Sequence, residues 1–265
     1  MSSPPIQFTD GAAYERYMGK WSQLVGQAFL EWLAPKPNSR WLDVGCGNGA
    51  FTELLYGHCH PASVDGLDPS FAQLNYARLR PALQGTRFTQ GDAMALPFAA
   101  QSFDAAVMPL VIFFVPEPAQ GVAEMARVVR PGGSVSAYGW DMRDGGFPYA
   151  ALQAEIQAMG IAVLKPPNPD ASGLQTMHAL WTAAGLQSVQ TRGIEVKRTF
   201  TDFEDYWSTV LGGPSVGPKL AAMTPDEMAH LKTRMKALLP ADGQGRITYS
   251  ARANAINGYA PSPGL

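Results

Sequence analysis

The sequence predicts an α/β protein built on a parallel sheet with helices on both faces. Three observations carry this. Between residues 40 and 140, short apolar runs of strand character alternate with helical runs. The run Phe103–Met108 is nearly all apolar, as a strand covered on both faces should be. A glycine-rich turn, Gly45-Cys46-Gly47-Asn48-Gly49, joins one such run directly to a helical one. Glycine there lets the backbone turn sharply and lets a ligand approach the main chain closely.

The elements follow in order. Residues 1–9 are polar and contain proline, and read as a loose tail. From Tyr14 to Leu33, apolar residues fall near helical spacing at Tyr14, Tyr17, Met18, Trp21, Val25, Phe29 and Leu33. Pro35 and Pro37 stop that helix. Arg40–Val44 is the first strand and Ala50–Tyr56 its helix. Ala62–Leu67 is the second strand, running into Asp68-Pro69-Ser70, and Phe71–Arg80 is the next helix. Thr86–Gln90 and Phe103–Met108 are strands three and four. Ala119–Val129 is a helix, and Arg130-Pro131-Gly132-Gly133 is a turn needing positive φ before strand five at Ser134–Gly139. After residue 140 the rhythm changes. Phe147–Met159 and Leu174–Ala184 read as helices, and Val189–Phe200 as β. Phe203–Leu211 and Pro225–Leu239 are again helical, with a Gly/Pro loop at 212–218 before the second of them. Arg246–Asn257 closes the chain as a strand.

Composition bounds the function. The chain has 265 residues and is 46% hydrophobic, enough for one domain with a sizeable core. A net charge of −2 offers no basic face to follow a nucleic-acid backbone, so no nucleic-acid partner is expected. Two cysteines, Cys46 and Cys59, are too few for a disulfide framework. No signal peptide and no apolar run of about 18 residues or more is visible. The expectation is a soluble cytoplasmic protein without an integral membrane segment.

The glycine turn is a nucleotide-type ligand loop. The helix after it offers unpaired N–H groups at its first turn. The glycines alone do not select the ligand, because Gly45-x-Gly47-x-x-Ala50 also satisfies the dinucleotide fingerprint of NAD enzymes. Asp43, two residues before the first glycine, and a third glycine at Gly49 tip the balance. With Asp43-x-Gly45-x-Gly47-x-Gly49 in place, the chain resembles the class I S-adenosylmethionine (SAM)-dependent methyltransferases. Within them it is most similar to the small-molecule group that includes the ubiquinone and menaquinone C-methyltransferases. The resemblance is specific over residues 40–140 and weak elsewhere.

That resemblance implies a Rossmann-like seven-stranded sheet whose last two strands form an antiparallel edge. Residues 1–265 would be one domain: a helical cap over 10–34, a SAM-binding core over 40–140, and a helical insertion over the site at 202–240. It also implies a cofactor set. The backbone of Gly45, Cys46, Gly47 and Gly49 cradles the methionine part of SAM, and Asp43 helps fix its ammonium. Asp68 ends the second strand, where an acid accepts hydrogen bonds from ribose hydroxyls, with Pro69 and Ser70 beside it. Gly91-Asp92-Ala93 follows the third strand; the family sets an acid there against the adenine amino group, and NAD enzymes have no such element. Met108 ends strand four in the family's cofactor region. Relatives often carry a histidine motif after it, but here Val111-Ile112-Phe113-Phe114-Val115-Pro116 follows.

Other residues are read without the family. Tyr17 and Trp21 on the first helix could cap the cofactor pocket, an aromatic face against a sulfonium being a cation–π contact. The plainer alternative is an amphipathic helix packed on the sheet. If the acceptor carries a proton that must leave, His178 is the first candidate base, followed by Asp141, Asp144 and Tyr138. Trp140, Phe147, Tyr149, Trp181 and Trp207 are candidates to line an apolar acceptor pocket, with Phe114. His58-Cys59-His60, read as extended, puts only the histidines on one face and completes no metal site. The leading expectation is methyl transfer from SAM to a small-molecule acceptor, by an enzyme that could be a homodimer. An NAD-linked oxidoreductase, a non-catalytic SAM-binding protein and a SAM enzyme of another outcome, such as cyclisation, stay open.

Overall fold

The computed structural model describes residues 15–213 and 216–262. Residues 1–9 of the expected tail, residues 10–14 of the expected cap with Tyr14, and two residues of the 212–218 loop lie outside the described residues. Seven strands form one sheet in the order β3-β2-β1-β4-β5-β7-β6. They are β1 (Arg40–Val44), β2 (Ser63–Asp68), β3 (Arg87–Gln90), β4 (Phe103–Pro109), β5 (Val129–Trp140), β6 (Gln187–Phe200) and β7 (Ile247–Tyr259). β1 to β5 run parallel, and β7 lies antiparallel between β5 and β6. The central strand β1 shows why a sheet forms here: Trp41, Leu42, Asp43 and Val44 are all fully buried, which only a strand covered on both faces achieves.

The helices are α1 (Lys20–Leu33), α2 (Ala50–Cys59), α3 (Phe71–Arg78), α4 (Pro118–Val128), α5 (Ala150–Ala158), α6 (Leu174–Ala183), α7 (Phe203–Leu211), α8 (Gly217–Ala221) and α9 (Pro225–Leu238). α1 buries Trp21, Val25 and Phe29 completely, one stripe at helical spacing. It ends where Ala34 turns left-handed and its N–H bonds Leu30 O. A π-helical turn, Glu15–Gly19, precedes α1. Three helices, α7 to α9, fill the stretch between β6 and β7. α9 starts on a reciprocal capping box between Thr224 and Glu227.

Two local expectations are corrected. His58 and Cys59 lie in the last turn of α2, and His60 is its left-handed C-cap at φ 45°, so the stretch is not extended. Its apolar residue, Cys59, faces the core, which is what pulls the segment into the helix. β5 starts at Val129, earlier than expected, because Val129 pairs with Phe103 before a register shift. Pro131-Gly132-Gly133 sits inside that irregular start, with Gly132 at φ 74° donating to Ala260 O.

Candidate functional site

Parallel strands bring their carboxyl ends to one edge, and the strand order reverses between β1 and β4. A crevice at such a reversal is where open α/β sheets bind ligands. The loop after β1 is held there by its neighbour: Gly45 and Cys46 donate to Leu67 O at 2.7 and 3.0 Å. Gly45, Gly47 and Gly49 all have positive φ, at 75°, 52° and 80°. Two of them are glycines for want of space as well. A Cβ on Gly45 would stand 2.4 Å from Val111 Cγ2, and one on Gly49 2.7 Å from Leu83 Cδ1. Gly47 differs. A Cβ there would meet nothing nearer than Gln73 Oε1 at 4.0 Å, so the backbone at Gly47 faces open space.

Asp68 ties this loop down. Its Oδ2 accepts from Gly47 N at 2.9 Å and its Oδ1 from Ser70 N at 2.8 Å. Each carboxylate oxygen can accept two hydrogen bonds, so acceptor capacity is left over. Burial pushes the Asp68 carboxyl up, while the amides of Ser70 and Gly47 oppose that. Ser70 caps α3 through its side chain, and exposed Pro69 accepts from Gln90 Nε2 with its carbonyl. Gly91 N donates to Asp68 O, which sets Gly91-Asp92-Ala93 alongside. Asp92 is exposed, with Oδ1 taking Met94 N at 2.8 Å. Gly91 itself is required by crowding, since a Cβ would lie 2.8 Å from Leu67.

Several expected ligand residues play a different part. Asp43 is fully buried under the loop, and its Oδ2 accepts from Thr52 Oγ1 at 2.7 Å. Its Oδ1 is buried with no hydrogen-bond partner. Burial pushes the carboxyl up to about 7. Asp43 therefore acts from beneath the loop rather than on its surface. Cys46 offers the loop its backbone only; its thiol packs with Leu74, Ala77, Leu83 and Phe88, and burial pushes it well above the usual range. Met108 is buried in β4, its tip beneath Gly121 of α4, so it serves the core. Trp21 is likewise buried, edge-on to Trp140 and against Tyr249. It backs the site without lining it.

A clamp that the sequence did not suggest joins the amino-terminal turn to the loop. Glu15 Oε2 accepts from Asn48 Nδ2 and from Arg80 Nη2, both at 2.9 Å. Arg80 also donates to Asn48 O at 2.6 Å and to Glu53 at 2.7 Å. Charge-assisted bonds of this kind fix geometry as well as energy. No spacing rule links residues 15, 48, 53 and 80, so only the fold reveals them.

Beside the loop lies a cavity of about 260 Å³. Tyr17, Met18, Leu110, Phe113, Phe114 and Trp140 wall it, and Met142 and Phe147 extend the wall. It shares structure with the loop: Val111, next to Leu110, is the residue packed on Gly45, and Tyr17 belongs to the same turn as Glu15. Tyr149 stacks behind Tyr17 with ring centroids 4.2 Å apart. The expected wall residues Trp181 and Trp207 are elsewhere. Trp181 is buried and donates to Val135 O, and Trp207 stacks on Phe203 in the insertion. No described residue of 202–240 lines the cavity. The insertion buttresses it instead, through Arg234 of α9 paired with Glu155 of α5.

The candidate bases fall away. His178 is exposed on α6 and does not line the cavity. Asp141 is buried in an ion pair with Arg252 at 2.7 Å, which also approaches Asp144. Tyr138 packs under Phe29 and Phe51. Among the described residues no group of three or more His, Cys, Asp and Glu could hold a metal.

Known proteins share this arrangement. Residues 42–137 match the model of the methyltransferase domain Methyltransf_11. The chain is 37% identical over 155 residues to the phthiotriol/phenolphthiotriol dimycocerosates methyltransferase of Mycobacterium tuberculosis, covering 58% of this chain and 53% of that one. It is 39% identical over 94 residues to the fatty-acid O-methyltransferase of Mycolicibacterium smegmatis, covering 36% and 34%. The chain thus spans about a third to a half of the length of these relatives. A Haemonchus contortus phosphoethanolamine N-methyltransferase 2 structure in complex with SAM superposes with a TM-score of 0.59 at 17% identity, over 95% of this chain and 56% of that one. The residues present fit SAM. Open backbone at Gly47, spare acceptor capacity on Asp68, an exposed Asp92 and an unpartnered buried carboxylate oxygen on Asp43 offer a polar cation its partners. The chain thus has the fold of the SAM-dependent methyltransferase structures it superposes on, and its residues 42–137 match a methyltransferase domain.

Proposed function

We propose that the chain transfers a methyl group from SAM to a small, largely apolar acceptor held in the cavity beside the glycine loop. The single observation that carries this is adjacency: Leu110 of the cavity wall precedes Val111, which packs on Gly45, and Tyr17 and Met18 of the wall share a turn with Glu15, which bonds Asn48 of the loop. A bound SAM supplies an activated sulfonium methyl. The chain then has to hold, align and exclude water. The Gly45–Gly49 backbone receives the methionine part, Asp68 the ribose, and Asp92 with the Ala93 amide the adenine. Asp43, its carboxyl raised by burial to about 7, adds negative charge from below as it ionises. Phe113, Phe114 and Trp140 keep water from the acceptor.

The relatives' names, a fatty-acid O-methyltransferase and a phthiotriol/phenolphthiotriol dimycocerosates methyltransferase, favour an apolar acceptor of this kind. The proposal extends to a cytoplasmic protein without a nucleic-acid partner, supported by the net charge of −2 and by free Cys46 and Cys59. Among the described residues, no helix is long and apolar enough to cross a membrane. The test is acceptor turnover and affinity in Phe114→Ala and Trp140→Ala. Weakened acceptor binding with intact S-adenosylhomocysteine (SAH) binding supports the assignment. Unchanged acceptor affinity in both variants contradicts it.

A further inference from the structure

We infer that the Glu15–Gly19 turn is a strut shared by the two ligand sites, so that a bound cofactor firms the acceptor cavity, and that Tyr149 is the positioning residue that passes the effect on. The inference deepens the methyltransferase reading and rests on it. Its basis is one five-residue turn pinned at both sites at once. At its start, Glu15 accepts from Asn48 Nδ2 and from Arg80 Nη2, both at 2.9 Å. Asn48 stands between Gly47 and Gly49 in the cofactor loop. Two residues on, Tyr17 O accepts from Tyr149 Oη at 2.5 Å, and the two rings stack with centroids 4.2 Å apart. Tyr149 is not itself a wall residue. It lies between Phe147 and Ala150, which line the cavity, as Gln153 does one turn further on. Tyr17 and Met18 line it too. The Tyr149–Tyr17 bond therefore ties together two segments of wall that lie 132 residues apart in sequence.

The turn has little freedom to answer one pin without the other. Gly213 closes on the Tyr17 ring, where a Cβ would stand 2.6 Å from Cε2. α1 continues directly from the turn, with Trp21 buried against Trp140 and Tyr249, and Trp140 is itself a wall residue. The π-helical form is rare and recurs at functional sites. Burial pushes the Tyr149 phenol up, so it keeps its proton and stays a donor at neutral pH. Coupling between sites is carried by rigid elements that both sites bias. Here a cofactor that fixes Asn48 fixes Glu15, and the turn carries Tyr17 and Met18 with it. By linkage, an occupant of the cavity tightens cofactor binding by the same factor.

The experiment titrates the full chain with SAH by calorimetry and follows amide hydrogen exchange with and without SAH. Tyr149→Phe keeps the ring stack and removes only the bond to Tyr17 O. It should weaken SAH about fivefold, although Tyr149 lies outside the cofactor loop. Arg80→Ala should cost a similar factor. The two together should still cost about fivefold rather than about twenty-fivefold, because either change releases the same turn. In the wild type, SAH should slow exchange over residues 15–19 and also over 147–153. In Tyr149→Phe the slowing at 147–153 should vanish while that at 15–19 remains. A merely structural tyrosine would lower the melting temperature and leave these patterns unmoved. Unchanged SAH affinity in Tyr149→Phe, losses that multiply, or slowing confined to the loop and the turn overturns the strut while SAH still binds. Absence of SAH binding in the wild-type chain overturns the methyltransferase reading itself, and this inference with it.

Discussion

The two ends of the site are built by different means. The cofactor side, from β1 to β3, works through backbone: three glycines at positive φ, amides bonded to Leu67 O and Asp68, and acids at strand ends. The acceptor side, from β4 onward, works through the bulk of ordinary apolar residues such as Phe113, Phe114 and Trp140. A backbone cradle tolerates almost no change in residue type, whereas an apolar wall tolerates many. The first side should therefore fail sharply on substitution, and the second by degrees.

The largest effect should come from Gly45→Ala. The new Cβ would need left-handed backbone and would meet Val111 at 2.4 Å, a cost of about 3 kcal/mol in stability, read by denaturant unfolding. Gly47→Ala is the control that sharpens the comparison. It has room and should cost only about 1–2 kcal/mol in stability, yet its methyl occupies the space left for the cofactor and should weaken SAH binding well over tenfold. If both variants lose stability equally and SAH binding follows stability alone, the cradle is structural.

Next is Asp68→Ala. It frees the Gly47 and Ser70 amides and removes the ribose partner, so SAH affinity should fall about a hundredfold, the worth of about two charge-assisted hydrogen bonds.

Asp43→Asn should have effects of opposite sign. Burial raises the folded-state pKa to about 7, so between about pH 4 and pH 7 the folded chain holds a proton that the unfolded chain has released. Stability therefore falls as pH rises through that window. The variant should remove this slope and gain about 1–3 kcal/mol at neutral pH, while weakening SAM. In the wild type, affinity for the cationic SAM should rise with pH through about 7, as Asp43 ionises; in Asp43→Asn it should be flat. A wild-type stability curve without that slope would contradict the buried neutral carboxyl.

On the acceptor side, Phe114→Ala should lower acceptor affinity by about 1–2 kcal/mol, the burial of one side chain, with SAH unaffected. Smallest is Arg80→Ala. It dissolves the Glu15–Asn48–Arg80 clamp and should cost about 1 kcal/mol of SAH affinity, with a faster SAH off-rate as the amino-terminal turn loosens.

The same contrast decides what could be read from sequence. Gly45-x-Gly47-x-Gly49, Asp68 and Gly91-Asp92 leave marks because a backbone conformation or a strand-end acid admits few residue types. β1 and α7 were legible to the residue, since Trp41-Leu42-Asp43-Val44 and Phe203–Leu211 carry unambiguous burial and helical patterns. The seven-stranded sheet with its antiparallel edge followed from the motif's resemblance rather than from pattern, and the strand order came from the fold. The acceptor wall was half legible: an aromatic residue looks the same whether it lines a cavity, as Trp140 does, or donates into the sheet, as Trp181 does. His178 misled for the same reason, since titratable character says nothing of position. Asp43 was found but misplaced. Its spacing reveals that it lies near the end of β1, not that Thr52 of the next helix closes over it. The Arg80 clamp joins residues far apart in sequence and was invisible.

The most direct test is calorimetric titration of the purified chain with SAM, SAH and NADH, repeated on Gly47→Ala and Asp92→Ala. The account predicts micromolar binding of SAM and SAH, none of NADH, and loss of the first two in both variants. Binding of NADH, or of none of the three, would contradict it.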